Sequence, residues 1–158
     1  KVDIDALLEA TAASVHHQAS SAGGSITVES NVGTVVTDKL SLDQILGNLL
    51  DNAIKYRAPD RPLEIVARAK RERHGQVVIE VQDNGRGIAA GDHERVFELF
   101  RRSGLQNTAG EGIGLAHVRT MARNLGGDID LRSELGVGST FILKLPPVLK
   151  PAKRSKQQ

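Results

Sequence analysis

Asn48, Asn52 and Lys55 lie within NLLDNAIKY, Asn48 to Tyr56, at spacings of four and three, so on a helix they share one face. Ile45, Leu46, Leu49, Ala53 and Ile54 fall on another stripe. An amide oxygen offers a neutral ligand to a hard cation such as Mg²⁺, which keeps much of its water and shares the rest with substrate phosphates. Lys55 would then meet a phosphate. The wet side of any surface helix has the same composition, so this face does not decide the matter by itself.

Three glycine clusters bear on the choice. In DNGRGI, Asp83 to Ile88, a strand ends in a carboxylate followed by Gly85 and Gly87, which let the backbone approach a flat ligand; taken singly, AsnGly is also a hairpin-turn signal. GEGIGL, Gly110 to Leu115, opens onto a helix, where free backbone amides and the positive end of the dipole attract phosphate. It is not a dinucleotide fingerprint, because no βαβ unit surrounds it. GVGST, Gly136 to Thr140, read alone is a plain hairpin turn.

The elements that must position these groups follow from periodicity. Val2 to Gln18 has helical spacing, and SAGG stops it. Ile26 to Ser30 and Val35 to Thr37 read as strands, and Asp38 or Ser41 caps a helix running to about Tyr56. Two prolines make Arg57 to Pro62 a loop, and Leu63 to Ala69 and Gln76 to Val81 form a hairpin around His74 and Gly75. Asp92 to Phe100 and Leu115 to Leu125 read as helices, the second ended by Gly126 and Gly127; Ile129 to Ser133 and Thr140 to Leu145 are the last strands. Mixed order with mostly hairpin joins predicts an α+β fold, a two-layer sandwich with helices on one face of a mixed, mostly antiparallel sheet.

The chain has 158 residues, 39% hydrophobic and 25% charged, which fits one globular domain. Zero cysteines exclude a disulfide framework and thiolate metal sites. No run is apolar enough to span a bilayer, so a cytoplasmic domain is expected, while the full-length protein is left open to membrane anchoring. Removing Lys150, Lys153, Arg154 and Lys156 from the formal +2 leaves −2, and aromatics are only 3%, so nucleic acid is not the expected partner. The expected organisation is an N-terminal helix over 1–20, a main folded domain over 21–146 and a basic, disordered tail over 147–158.

Together and in this order, the motifs resemble the ATP-binding catalytic domain of sensor histidine kinases, in the superfamily that also holds gyrase, the Hsp90 chaperones and the MutL repair proteins, with its Bergerat fold. The resemblance spans Asp38 to Leu145: NLLDNAIKY looks like the N box, DNGRG the G1 box, Phe97 and Phe100 the F box, GEGIGL the G2 box and GVGST the G3 region. It implies ATP and Mg²⁺ as the bound pair, with Asn52 as the metal ligand and Asn48, Lys55 and Tyr56 beside phosphate or ribose. Asp83 would accept from the adenine amino group, and Gly85, Gly87, Ile88, Gly110, Gly112, Ile113, Gly114, Leu115 and Thr140 would line the nucleotide. Arg101 to Ala109 would form a mobile lid, with Asn48, Lys55, Arg101 and Arg102 as the catalytic set. A carboxylate at position 83 suits adenine, because guanine presents an oxygen at that edge.

Two departures refine this expectation. The superfamily's ATPases carry a water-activating glutamate one turn before the metal asparagine; here that residue is Asn48, which cannot take a proton at neutral pH. Phosphoryl transfer to a side chain is thus favoured over hydrolysis, and over a gyrase or chaperone fragment. No segment like SHELRTPL supplies an acceptor histidine, and His16, His17, His74, His93 and His117 read as surface or packing residues. The expected partners are therefore a dimerisation domain of the same protein, which would be a homodimer, and a downstream response regulator. A nucleotide-binding regulatory module or an anti-sigma-type serine kinase is the alternative.

Overall fold

The computed structural model describes residues 1–21, 23–92, 95–97 and 111–148. Strand β1 (Val2–Asp3) leads into α1 (Ile4–Ser21), then β2 (Ser25–Ser30), β3 (Thr34–Val35), α2 (Lys39–Lys55), β4 (Glu64–Arg71), β5 (Val77–Asp83), α3 (Glu111–Asn124), β6 (Asp128–Glu134) and β7 (Gly138–Leu145). Strands β2-β4-β5-β7-β6 form one sheet, with β2 and β4 parallel and every other pair antiparallel.

The core shows which face the helices take. Ile65 and Ala67 of β4, Val77, Ile79 and Val81 of β5, Phe141, Leu143 and Leu145 of β7 and Ile129 of β6 join Leu7, Leu8, Leu42, Ile45, Leu46, Leu49, Val118 and Ala122 in one buried cluster. Alternate strand residues point to one side, so all three helices cover that side. Among the described residues the opposite face carries no helix. There Val78 and Ile142 are buried under a charged ladder, in which Glu80 meets Arg68 at 3.2 Å and Arg132 at 3.6 Å, and Arg68 reaches Glu29 at 3.4 Å. Arginine stems thus do there what helices do on the other side.

Local chemistry explains several boundaries. Val2 and Asp3, expected in the first helix, pair instead with Val35 and Thr34, and the Asp3 side chain accepts from Ala6 N at 3.0 Å, so the helix starts after it. Asp38 caps α2, its Oδ1 accepting from Leu40 N at 3.1 Å and its Oδ2 from the Ser41 hydroxyl at 3.0 Å. The β4–β5 hairpin turns through Arg73–Gly75, where His74 has a positive φ of 61°. Helix α3 begins at Glu111, four residues before the expected start. Two glycines cost a helix only about 1 kcal/mol each, a local preference that continuation of the ladder from a packed helix overrides. It ends in a Schellman motif, Gly126 N to Arg123 O and Gly127 N to Ala122 O, both at 3.0 Å.

Of the helix expected over Asp92 to Phe100, the described parts are 3₁₀ turns, Ala90–Asp92 and Arg95–Phe97. The expected tail starts in ordered structure: Pro147 O accepts from Val36 N at 3.0 Å and Val148 bridges Val36. Residues 149–158 lie outside the described residues.

Candidate functional site

Asp83 ends β5 on the helix side of the sheet, paired with Ile65 and Ser139. Its Oδ1 accepts from Gly85 N at 2.8 Å, and the Ser139 backbone amide donates to the same carboxylate. Burial is the largest influence and pushes the acid above its usual range, against the two amide bonds that lower it. A carboxylate has about four acceptor positions, so two amides leave capacity for a further donor.

The loop after Asp83 is packed against the β6–β7 turn with little slack. A Cβ on Gly138, whose φ is 150°, would lie 2.1 Å from Asp83 O, and one on Gly87, whose φ is 76°, would lie 2.1 Å from Glu134 O. Both positions thus demand glycine on steric and on dihedral grounds. Ser133 closes the joint: its Oγ accepts from Ile88 N at 2.7 Å and donates to Gly138 O at 3.0 Å. With that proton committed, the 2.8 Å contact with Ser139 Oγ has Ser139 as donor.

Helix α2 brings the amide face to this loop. Asn48 and Asn52 are half-buried, whereas Asp43, Gln44, Asp51 and Lys55 are exposed, so the asparagines sit at the margin of the core stripe and not on the wet face. At the end of the helix Tyr56 O accepts from Arg86 N at 3.1 Å, and the Arg86 guanidinium lies 5.9 Å from the Tyr56 ring centroid. Lys55 and Tyr56 therefore stand where α2 meets the loop after β5. Helix α3 packs along α2, and its first turn contains Gly112, Ile113 and Gly114, of which the Gly112 and Ile113 amides precede the first intrahelical bond and have no intrahelical acceptor. Leu115 is buried behind that turn, and Phe97 packs edge-on to Phe141 at 6.1 Å beneath the Arg119 guanidinium, 4.2 Å from its centroid.

The expected site residues thus sort by position. Asn48, Asn52, Lys55 and Tyr56 share one helix, Asp83, Gly85, Gly87 and Ile88 the adjoining loop, and Gly112 to Leu115 the neighbouring helix start. Thr140 does not join them. It pairs with Gln82 and Arg132, and strand alternation places it on the helix-free face, away from Asp83; Ser139, one residue earlier, is the one that reaches the carboxylate. Phe100, Arg101, Arg102 and Gly110, with the rest of the expected lid, lie outside the described residues. Sequence reasoning missed Ser133, Ser139 and Arg61. The guanidinium of Arg61 donates to Asn84 O and Gly85 O, both at 2.8 Å, and to Gly136 O at 3.0 Å.

Known proteins resemble this chain in sequence and in fold. The family model described as histidine kinase-, DNA gyrase B-, and HSP90-like ATPase matches residues 37–149. The sensor-like histidine kinase SenX3 of Mycolicibacterium smegmatis is 36% identical, over 99% of this chain and 41% of its own length. The sensor protein RprX of Bacteroides fragilis is also 36% identical, over 78% of this chain and 24% of its own. The chain thus spans less than half the length of these relatives. Full-length ShkA, solved in complex with AMPPNP, superposes with a TM-score of 0.80 at 29% identity, covering 96% of this chain and 31% of that one. The catalytic domain of the histidine kinase ThkA superposes at 0.78 over 94% of this chain and 97% of its own; at 20% identity it speaks to the fold alone. Among the described residues no helix is long and apolar enough to cross a membrane. With well over half its residues matched by the family model, the chain belongs to the histidine kinase-, DNA gyrase B- and HSP90-like ATPases, and its fold is that of histidine kinase catalytic domains.

Proposed function

We propose that this chain is the ATP-binding catalytic domain of a two-component sensor histidine kinase, which binds Mg-ATP and passes the γ-phosphoryl group to a histidine on a separate dimerisation domain. The observation that carries the reading is the hydrogen bond from Arg86 N to Tyr56 O, which joins the helix bearing the amides to the loop bearing the buried acid. Sequence-distant groups suited to the two ends of one nucleotide meet there.

Asp83 accepts from the adenine amino group, and its burial strengthens that bond by excluding competing water. The half-buried oxygens of Asn48 and Asn52 fit a hard cation, with Asn52 as the direct ligand. Bound there, Mg²⁺ would spread the negative charge of the phosphate oxygens. Lys55 and the amides of the first turn of α3 hold phosphate, and Tyr56 stands beside the ribose. Arg101 and Arg102 are assigned to the transferring phosphate from the sequence. Asn48 takes no proton from water, so the domain positions ATP for a nucleophile that arrives from outside it. Relatives named as sensor kinases and an AMPPNP-bound counterpart support this reading. A dimerisation domain, a homodimeric full-length protein and a downstream response regulator follow from it as proposed partners.

The test has two stages. Titration of the chain with Mg-AMPPNP should show saturable binding, absent with the guanine analogue. Incubation with γ-labelled ATP should leave the chain unlabelled, and adding a separately made histidine-bearing hairpin from a full-length relative should yield acid-labile label on the hairpin. Strong label on the isolated chain, or acid-stable label on a serine, would overturn the assignment in favour of a serine kinase.

A further inference from the structure

Arg61 lies in the loop between α2 and β4, outside every motif of the site, yet its head group spends its donors on two separate segments. Nε donates to Asn84 O at 2.8 Å, and Nη2 donates to Gly85 O at 2.8 Å, Gly136 O at 3.0 Å and Val137 O at 3.5 Å. The contact with Asp60 at 3.5 Å involves a carboxylate that is 73% exposed and contributes little. Asn84 returns the grip: its Oδ1 accepts from Glu64 N at 2.8 Å and its Nδ2 donates to Pro62 O at 3.0 Å. The residues on either side of Asp83–Gly85 and of the β6–β7 turn are thereby held in one frame. The two amides on the Asp83 carboxylate come from Gly85 and Ser139, one from each of the segments that Arg61 joins.

We infer that Arg61 is a positioning residue for nucleotide selection: by tying the carbonyls of Asn84, Gly85 and Gly136 together, it fixes the two amides that aim the Asp83 carboxylate. A planar fork with five donors can serve several carbonyls at set angles, whereas a lysine ammonium with the same charge cannot reproduce that geometry. Within the glycine-bearing loop Asp83 and Asn84 make bonds to Gly85 N, Glu64 N and Pro62 O, and Arg61 adds from outside it a link that runs on to the β6–β7 turn.

This inference rests on the adenine reading of Asp83, and the experiment separates the two. In Arg61→Ala and Arg61→Lys chains, affinity for Mg-AMPPNP should fall by about 10- to 100-fold, the range for groups that orient a ligand-contacting residue without touching the ligand. The preference for the adenine over the guanine analogue should narrow as well, which a general loss of stability would not produce. Independently of any nucleotide, the amide resonances of Gly85 and Ser139 should shift in Arg61→Lys. Unmoved resonances and an unchanged adenine preference in Arg61→Lys would overturn the inference. If wild type and Asp83→Asn bind AMPPNP equally well, the reading of Asp83 itself falls, and the role of Arg61 in selection falls with it.

Discussion

Asp83→Asn should separate binding from stability, because the same burial that makes this acid useful makes it costly. The substitution keeps an oxygen able to accept from Gly85 N at 2.8 Å, removes the charge that burial penalises, and weakens the bond from the Ser139 amide. Relief of desolvation and loss of one charge-assisted bond oppose each other, each being about 1–3 kcal/mol, so the melting midpoint should move by only a few degrees. Binding has no such compensation. An amide that turns its NH₂ toward the adenine amine sets donor against donor, and the loss of a charged hydrogen bond, about 1.5–3 kcal/mol, corresponds to about 10- to 150-fold in Kd.

The acid range adds a second readout. A carboxyl whose folded pKa lies above 3.8 holds its proton in the folded chain where the unfolded chain has released it, so stability declines as pH rises from 3.8 through the folded value. Adenine binding needs the ionised form and should strengthen over the same interval, whereas Asp83→Asn should be flat. Calorimetric titration with Mg-AMPPNP across that interval, beside thermal melts of both chains, measures all of this. Affinity within twofold of wild type at neutral pH would refute the role given to Asp83.

Asn52→Ala should weaken Mg-AMPPNP binding by about tenfold, as expected for one lost ligand, with the melt nearly unchanged because Asn52 lies outside the core stripe; an equal loss without Mg²⁺ would count against a metal role. Gly87→Ala forces a Cβ to 2.1 Å from Glu134 O at a φ of 76°, and should cost more than about 2 kcal/mol, read as a melt lowered by at least about 5 °C. Asp5, where burial raises the pKa but the Ser30 hydroxyl, the Val32 and Gly33 amides and the Arg71 charge outweigh it, is held below the usual range. Its stabilisation is present above 3.8 and lost as pH falls through the lower folded value, so Asp5→Asn should lower the denaturant midpoint at neutral pH, by an amount that solvent screening keeps small, and the difference should close once wild-type Asp5 is protonated. A difference in denaturant midpoint that persists in strong acid would refute that account.

What the sequence makes legible here is whatever a local period or a backbone demand writes into residue type. The α2 stripe, the hairpin around His74 and the glycines after Asp83 are all of this kind, and each stands where its pattern places it. Arg61 is not, since its partners are carbonyl oxygens, which every residue carries, up to 76 positions away in sequence. Ser139 and Thr140 show the sharper limit. Both are hydroxyl residues in one motif, and only the pairing of Asp83 with Ser139 decides which of them faces the acid, because a shift of one residue exchanges the two faces of a strand. The same register that excludes Thr140 places Ser133 opposite Ser139, where its hydroxyl takes the Ile88 amide and gives its proton to Gly138. If the proposed adenine site and the positioning role inferred for Arg61 hold, a chain that kept every motif and lost this one guanidinium from a connecting loop should fold yet choose its nucleotide poorly.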